Sequence, residues 1–214
     1  MVELPGGRLI AGGNFPFGSP PRWHAVVEWN GTTWSPLLPS NGEEARALAV
    51  MPDGSLLAGG SEYPNGAWVA KWNGTAWSQP AGGIRGLEVS TLCVLPSGEV
   101  LAGGNFGGAG TVSAKHLARW TGAAWQPMVT GGGLDQGVMA MASTRDGDLF
   151  VGGYFEGCGG IAARGVARLR GSSWSPIDSP LPLQGPLPRV LLPLPDGSLV
   201  MGGYFLLHRW DGSS

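Results

Sequence analysis

The sequence predicts an all-β fold built from repeated units, and three observations lead to that prediction. The 214 residues include 39 glycines and 18 prolines, which interrupt the chain too often for long helices. Glycine at this level suggests disorder, but ten tryptophans and a hydrophobic fraction of 43% supply enough apolar surface to fold. An apolar run that ends in a glycine pair recurs five times, which indicates a repeat architecture.

The composition also excludes several classes of partner. There are 13 basic and 15 acidic residues, so the chain lacks the positive field that nucleic acid or an anionic membrane attracts. No apolar stretch approaches the roughly 18 residues of a membrane span, and the first residues lack the features of a secretory signal. Cys93 and Cys158 show no metal-ligand spacing, so we expect no metal and no cofactor. The sequence leaves two possibilities for these cysteines: a disulfide between them, or two inert thiols.

Each repeat copy carries the same turn residues at the same places. A pair such as Asp53-Gly54 precedes each glycine pair, and a pair such as Asn73-Gly74 separates two aromatic positions. Both kinds of pair tolerate positive φ and are typical of tight hairpin turns. The pattern therefore predicts four strands, A to D, in every copy. In the second copy these are Ala45–Met51, Ser55–Gly60, Ala67–Asn73 and Ala76–Gln79.

Strand A of the second copy is the exception to local propensity. Residues Glu43 to Met51 favour a helix by themselves. The equivalent segments Val89 to Leu95 and Val190 to Leu194 are rich in β-branched residues or proline. The repeat therefore predicts a strand in all copies.

Four-stranded units that cannot bury their own apolar face are typical of a β-propeller, in which neighbouring blades cover one another. We predict a single propeller domain over residues 1–214, made of five four-stranded blades with the first and last incomplete. The chain is expected to be either a piece of a longer protein with further repeats or domains, or a small propeller that closes without exchange of a terminal strand. The copies span approximately residues 1–37, 45–79, 89–128, 138–177 and 188–214.

Eight of the ten tryptophans occupy the two repeat positions that flank the turn between strands C and D. A position that recurs in every copy serves the blade, so we expect these indoles to pack between blades rather than to bind a sugar. They are Trp29, Trp34, Trp72, Trp77, Trp120, Trp125, Trp174 and Trp210.

The repeat resembles the kelch-type propeller repeat, with its apolar run, double glycine and two spaced aromatics, here LLAGG followed by Trp72 and Trp77. The resemblance covers essentially the whole chain. The Asn-Gly pair between the aromatics is similar to tandem repeats of large secreted bacterial proteins, which implies an extracellular location. Kelch-like rings include protein-binding scaffolds and the galactose-oxidase group of copper enzymes. Tyr63, Tyr154, Tyr204 and Cys158 do not map onto a copper-radical site, which argues against an oxidase.

Strand order places the A–B and C–D turns on one face of the ring, and the longer B–C and D–A loops on the other, the long-loop face. Binding residues concentrate on such loops. Aromatic residues that break the repeat cluster in the first two copies beside polar side chains, a combination that suits a glycan or a peptide. The alternative is that they only pack the longer loops. The candidate ligand-binding residues are Phe17, Arg22, Trp23, His24, Glu62, Tyr63 and Trp68.

We expect structural roles for the carboxylates of the long-loop face, the histidines and the basic repeat position. The carboxylates on the long-loop face could act in acid–base chemistry or bind calcium, but their spread over the copies favours solvated loop charges. His24, His116 and His208 occupy different repeat positions, so they are not expected to converge on a metal. The residue before the strand C aromatic is basic in four copies, and we expect its head group to bind the A–B turn. The carboxylates expected on the long-loop face are Glu43, Glu44, Glu62, Glu88, Asp135, Glu156 and Asp178.

These observations favour a non-enzymatic module that presents the long-loop face to a glycan or protein ligand. Two alternatives stay open. One is a glycan-active hydrolase or lyase that uses carboxylates on the same face. The other is a structural spacer in a longer repeat protein.

Overall fold

The computed structural model describes residues 1–39, 43–62, 64–128, 133–177, 188–203 and 207–212. All regular elements in these ranges are β-strands, arranged as five antiparallel sheets that follow one another along the chain and one separate two-stranded hairpin. No helix with the length and apolar character of a membrane span occurs in the described ranges. The predicted all-β class is confirmed.

The first and second sheets each contain four strands in sequential order. The first sheet comprises β1 (Val2–Leu4), β2 (Arg8–Phe17), β3 (Arg22–Trp29) and β4 (Trp34–Pro39). The second comprises β5 (Glu43–Val50), β6 (Leu56–Glu62), β7 (Gly66–Trp72) and β8 (Trp77–Ser78). The four strands predicted for the second copy are therefore confirmed, including the strand in the segment that favours a helix locally.

The third and fourth sheets keep this order and add short hairpin strands in their B–C loops, whereas the fifth has three described strands. The third comprises β9 (Ile84–Val94), β10 (Val100–Ala109), β11 (Val112–Ser113), β12 (Leu117–Trp120) and β13 (Trp125–Pro127). The fourth comprises β14 (Val138–Ser143), β15 (Leu149–Gly153), β18 (Val166–Arg170) and β19 (Ser173–Pro176), with β16 (Gly157–Cys158) and β17 (Ile161–Ala162) as a separate hairpin. The fifth comprises β20 (Val190–Pro193), β21 (Leu199–Gly202) and β22 (Leu207–Trp210).

The recurrent glycine pair is explained by two different close approaches. A Cβ on Gly103 would lie 2.8 Å from Cγ1 of Val138, a residue of the following sheet. A Cβ on Gly104 would lie 2.2 Å from the carbonyl oxygen of Glu88 in the same sheet, at a shift in the β9–β10 register. The first glycine therefore admits the next sheet, and the second admits the backbone of its own inner strand.

Each pair of consecutive sheets encloses its own hydrophobic core. We call the side of a sheet that packs on the preceding sheet its leading face, and the opposite side its trailing face. Between the third and fourth sheets, Leu101 and Leu117 pack with Val138, Leu149 and Val151. All five side chains are buried. Because no sheet could bury both of its apolar faces alone, the sheets depend on their neighbours for stability.

Tryptophans link the sheets as the repeat predicts, with one correction. The indole N–H of Trp77 donates at 3.0 Å to the carbonyl of Leu37 in the outer strand of the first sheet. That of Trp125 donates at 3.2 Å to the carbonyl of Pro80, just after the outer strand of the second sheet. The prediction of a packed indole is wrong for Trp34, which is 38% exposed. The physical reason is that no preceding sheet lies against the first one in the described chain.

The inner strands of the sheets surround a common axis. A central cavity of about 290 Å³ is lined by residues of β5, β9, β14 and β20 together with Met1. Strands from four different sheets can line one cavity only if the sheets are arranged radially. The chain is therefore a β-propeller, as predicted.

Residues of the basic repeat position bind the A–B turns, as the sequence predicts. The ammonium of Lys71 lies 3.1 Å from Asp53, and Arg209 forms an ion pair with Asp196. In the fourth sheet Arg168 binds the carboxylate of Asp148. The first sheet carries the same pair with the charges exchanged.

In that first sheet, Nη2 of Arg8 donates to Glu28 at 2.8 Å. Complementary charges therefore recur although the identities of the residues vary.

Candidate functional site

Four of the seven residues proposed from the sequence share one hairpin. Phe17 and Arg22 are directly opposite each other at the tip of β2 and β3, with Trp23 and His24 beside them. The rings of Phe17 and His24 form an edge contact with centroids 5.6 Å apart. Trp23 is 48% exposed. The hairpin therefore presents an aromatic surface, and its binding of a ligand stays a prediction.

Two of the other proposed residues, Glu62 and Trp68, lie in the second sheet. Trp68 donates its indole N–H to the carbonyl of Ser61 at 3.1 Å and packs against the core between the first and second sheets. Glu62 accepts a hydrogen bond from Asn65 at 2.5 Å. Tyr63 lies outside the described residues. Among the described residues, no hydrogen bond, ion pair or ring contact joins Glu62 or Trp68 to the first hairpin, so the structure does not unite the seven residues.

A different site forms on the long-loop face between the third and fourth sheets. It is a cleft of about 300 Å³ whose walls come from the middle of β9 and β10, from the start of β14 with the loop before it, and from single residues next to β12 and β15. Six of its nine lining residues carry polar or charged groups. The lining residues are Glu88, Asn105, His116, Asp135, Gln136, Gly137, Val138, Met139 and Tyr154.

The two carboxylates of the cleft are held in place by hydrogen bonds. One oxygen of Asp135 accepts from the backbone N–H of Glu156 at 3.0 Å. One oxygen of Glu88 accepts from the hydroxyl of Ser90 at 2.9 Å, and the other lies 3.4 Å from the guanidinium of Arg46 in the second sheet. A carboxylate oxygen has two lone pairs, so both side chains retain acceptor capacity for a ligand.

His116 is fixed in an unusual backbone conformation at the cleft. Its φ is 64°, in the left-handed region that non-glycine residues rarely adopt and that concentrates at functional sites. Its backbone N–H donates to Phe106 at 2.9 Å, and its carbonyl accepts from Gly104 at 3.1 Å. These bonds hold the residue in this conformation.

The protonation state of His116 follows from its surroundings. Burial lowers the pKa of the imidazole, opposed by its contact with the Gly104 carbonyl, so the ring is neutral at pH 7. Nδ1 lies 3.3 Å from that carbonyl. Because a carbonyl only accepts, Nδ1 carries the proton and Nε2 is left as an acceptor.

Tyr154 contributes the aromatic surface of the cleft. Its backbone N–H donates to Gly137 at 2.9 Å, which fixes the residue beside the loop that carries Asp135 and Gln136. The residue is 50% exposed. The ring therefore offers an apolar surface and a hydroxyl next to carboxylate and amide groups.

The cysteines and the acidic residues do not form a metal centre in the described part of the chain. Cys93 and Cys158 are both free and buried, so the disulfide that the sequence left open does not form. Burial, with a smaller contribution from Asp135, raises the pKa of Cys158 to about 12. The thiol is therefore protonated and unreactive at neutral pH. No group of three metal-ligating residues occurs within the described ranges.

The sequence singles out Glu88, Asp135, His116 and Tyr154 among the lining residues but does not predict that they form one site. It predicts solvated charges at Glu88 and Asp135, and no converging metal ligand at His116. A usable signal was present, because Asn105 and Tyr154 both directly follow a glycine pair in successive copies. Equivalent positions in neighbouring blades lie at the same height, which brings the two residues to one inter-sheet cleft.

Comparison with known proteins supports the fold alone. No protein-family model and no curated protein sequence matches the chain. A structure of streptogramin B lyase is 12% identical with a TM-score of 0.55, over 83% of this chain and 55% of that one. A gluconolactonase from Xanthomonas campestris is 13% identical with a TM-score of 0.60, over 98% of this chain and 78% of that one. A protein of unknown function from Dyadobacter fermentans is 14% identical with a TM-score of 0.50, over 93% and 72%.

The streptogramin B lyase and the gluconolactonase are propeller-like proteins. The chain spans just over half the length of the lyase. At these identities the similarity concerns the course of the backbone and not the chemistry of any site.

Proposed function

We propose that this chain is a non-enzymatic binding module that holds a carbohydrate in the cleft between its third and fourth sheets. The observation that carries the proposal is the exposed ring of Tyr154 beside two fixed carboxylates and the amides of Asn105 and Gln136 in one cleft. Sugar hydroxyls donate to carboxylates and exchange hydrogen bonds with amides. The weakly polar face of a sugar ring packs on an aromatic side chain.

The repeat supports the same interpretation. The apolar run, double glycine and spaced aromatics resemble the kelch-type repeat, whose rings include protein-binding scaffolds. A glycan is favoured over a protein ligand here because the cleft is concave and combines polar side chains with the apolar surface of Tyr154. A protein surface usually meets a flatter patch with an apolar centre.

Binding is favoured over catalysis because each carboxylate already holds a protein donor. Asp135 is engaged by the backbone of Glu156, and Glu88 by Ser90 and Arg46. Such contacts fix the geometry of the carboxylate acceptors, which suits recognition of hydroxyl groups.

A glycan array probed with the labelled protein tests the proposal, followed by calorimetry on any glycan retained. Asp135→Asn keeps the oxygen that accepts from Glu156 but removes the charge, and we expect about tenfold weaker binding. Tyr154→Ala removes the aromatic surface and should weaken binding at least as much.

Trp23→Ala serves as the matched aromatic control on the first-sheet hairpin. It should leave the affinity unchanged. Loss of binding with Trp23→Ala but not with Tyr154→Ala would move the ligand to the hairpin, and the absence of any retained glycan would remove the proposal.

The second candidate is an enzyme acting on a ligand in the same cleft. His116 favours it, because a neutral imidazole with Nε2 as acceptor can take a proton from a bound substrate. Two of the similar structures are of enzymes, a lyase and a gluconolactonase. Turnover of a retained glycan that His116→Gln abolishes while binding persists would support catalysis, and binding without turnover would support the module.

A further inference from the structure

The first sheet has a leading face that no other sheet covers in the described chain. Leu56 and Ala58 on the leading face of the second sheet are fully buried against the first. The same repeat positions in the first sheet are Leu9 and Ala11, which are only half-buried. The first sheet therefore has the apolar side chains of an inter-sheet interface without a partner among the described residues.

The fifth sheet has the complementary defect on its trailing face. Val190 and Leu192 are 62% and 55% exposed, whereas their counterparts Ala47 and Ala49 are buried between sheets. Gly202 occupies the first position of the glycine pair. A Cβ there would meet only Val190 of its own sheet, at 3.8 Å.

That separation contrasts with the 2.8 Å between a Cβ on Gly103 and Val138 of the following sheet. The space that admits the next inner strand is thus present at Gly202 and unfilled by the described residues.

The indole of Trp34 indicates what else a sheet packed on the leading face of the first sheet would have to supply. Its counterparts Trp77 and Trp125 donate their indole N–H to a carbonyl in or just after the outer strand of the preceding sheet, at Leu37 and Pro80. Trp34 is 38% exposed, and its indole N–H has no hydrogen bond to a described residue. A partner that matches the interfaces at Trp77 and Trp125 therefore needs a free carbonyl at its outer strand.

The two uncovered faces border one opening in the ring. Met1 lines the same central cavity as Val190 and Leu191 of β20, so the first and fifth sheets both reach the axis. We propose that this opening is the seat of one further four-stranded sheet of the same repeat. Its leading face would cover Val190 and Leu192, and its outer strand would accept the hydrogen bond of Trp34.

A second copy of this chain fits less well than a further repeat. The fifth sheet would be the one to meet the first sheet of another copy, and it has no outer strand among the described residues. The indole of Trp34 would then stay without its acceptor. A complete four-stranded sheet supplies both faces at once.

The test compares the 214-residue chain with a version extended at its C-terminus by a duplicate of residues 77–128. Residues 211–214 align with 73–76, so this extension supplies the outer strand of the fifth sheet and one complete sheet. Hydrogen–deuterium exchange is measured for peptides covering β2 and β20. We expect exchange about tenfold slower in both strands of the extended chain, because burial stabilises them against local opening.

Leu192→Asp provides the matched control. The substitution should leave the melting temperature of the 214-residue chain within about 2 °C, because the side chain is exposed. In the extended chain it should abolish the gain in protection. Unchanged exchange in an extended chain that has the circular dichroism of added β-structure would overturn the proposal.

Sedimentation equilibrium of the 214-residue chain tests whether a second copy of the chain, rather than a further repeat, fills the opening. The proposal predicts a monomer with rapid exchange in β2 and β20. A concentration-dependent dimer in which both strands are protected would show that a second copy fills the opening instead.

Discussion

The second glycine of the pair has little freedom in the second, third and fourth copies, where a Cβ on Gly60, Gly104 or Gly153 would lie 1.8–2.2 Å from a backbone carbonyl oxygen. A Cβ on Gly104 would lie 2.2 Å from the Glu88 carbonyl oxygen, so alanine there must displace an inner strand. We expect Gly104→Ala to lower the free energy of unfolding by about 3 kcal/mol. Gly107→Ala, in the same strand with nothing within 4 Å of its Cβ, should change it by less than about 1 kcal/mol. Urea denaturation measures both, and equal losses would contradict this explanation of the glycine pair.

The free energy of unfolding should also depend on pH through a single residue of the cleft, His116. Burial lowers the pKa of the folded imidazole below 6.5, so the unfolded chain binds the proton first as the pH falls. The free energy of unfolding should therefore decrease below about pH 6.5 and level off once the folded ring is also protonated. Denaturation of the wild type and His116→Gln between pH 7.5 and 5 checks this. The variant should show a smaller decrease over that range, and identical curves would contradict the assigned burial.

At the scale of elements, the outer-strand tryptophans connect successive sheets. Trp77→Phe removes the hydrogen bond to Leu37, which leaves a carbonyl of the first sheet unpaired, and should destabilise the chain by about 1–2 kcal/mol. Trp34→Phe is the matched control, because Trp34 has no such acceptor among the described residues. Its expected loss is below about 0.5 kcal/mol. Thermal denaturation that gives the same loss for both would remove the inter-sheet role of the indole N–H.

An ion pair between strands B and C also connects elements within a sheet. The first sheet pairs Arg8 with Glu28, whereas the fourth pairs Asp148 with Arg168. Glu28→Lys should cost about 1 kcal/mol, because it places two cations together at a partly exposed site. The double variant Arg8→Asp with Glu28→Lys restores the order of charges found in the fourth sheet and should recover most of that loss. A double variant less stable than either single one would show that the sequence order of the charges matters.

At the scale of the whole molecule, the repeat explains why the fold was predictable. The turn pair at Asp53-Gly54 and the glycine pair at Gly59-Gly60 recur in every copy, so one interpretation of a single copy extends to five. The strand at Glu43–Val50 shows the strength of this constraint. Its local helix preference is outweighed by the inter-sheet packing of Ala45 and Ala49.

The cleft was less predictable because it depends on differences between copies. Periodicity places equivalent residues but does not reveal which variable loops meet. Glu88 lies in β9 and Asp135 in the loop before β14, and only the radial arrangement brings them beside Tyr154. The aromatic residues that break the repeat predict a site in the first two copies instead. One of those aromatic residues, Trp68, packs against the core between the first and second sheets.

The most direct test of the carbohydrate proposal is an exchange footprint with a glycan retained on the array at saturating concentration. The account predicts slower exchange in residues 104–106 and 133–139, the backbone around the cleft. It predicts no change in the hairpin at residues 17–24. Protection confined to that hairpin, or none anywhere in the described chain despite saturation, would contradict it.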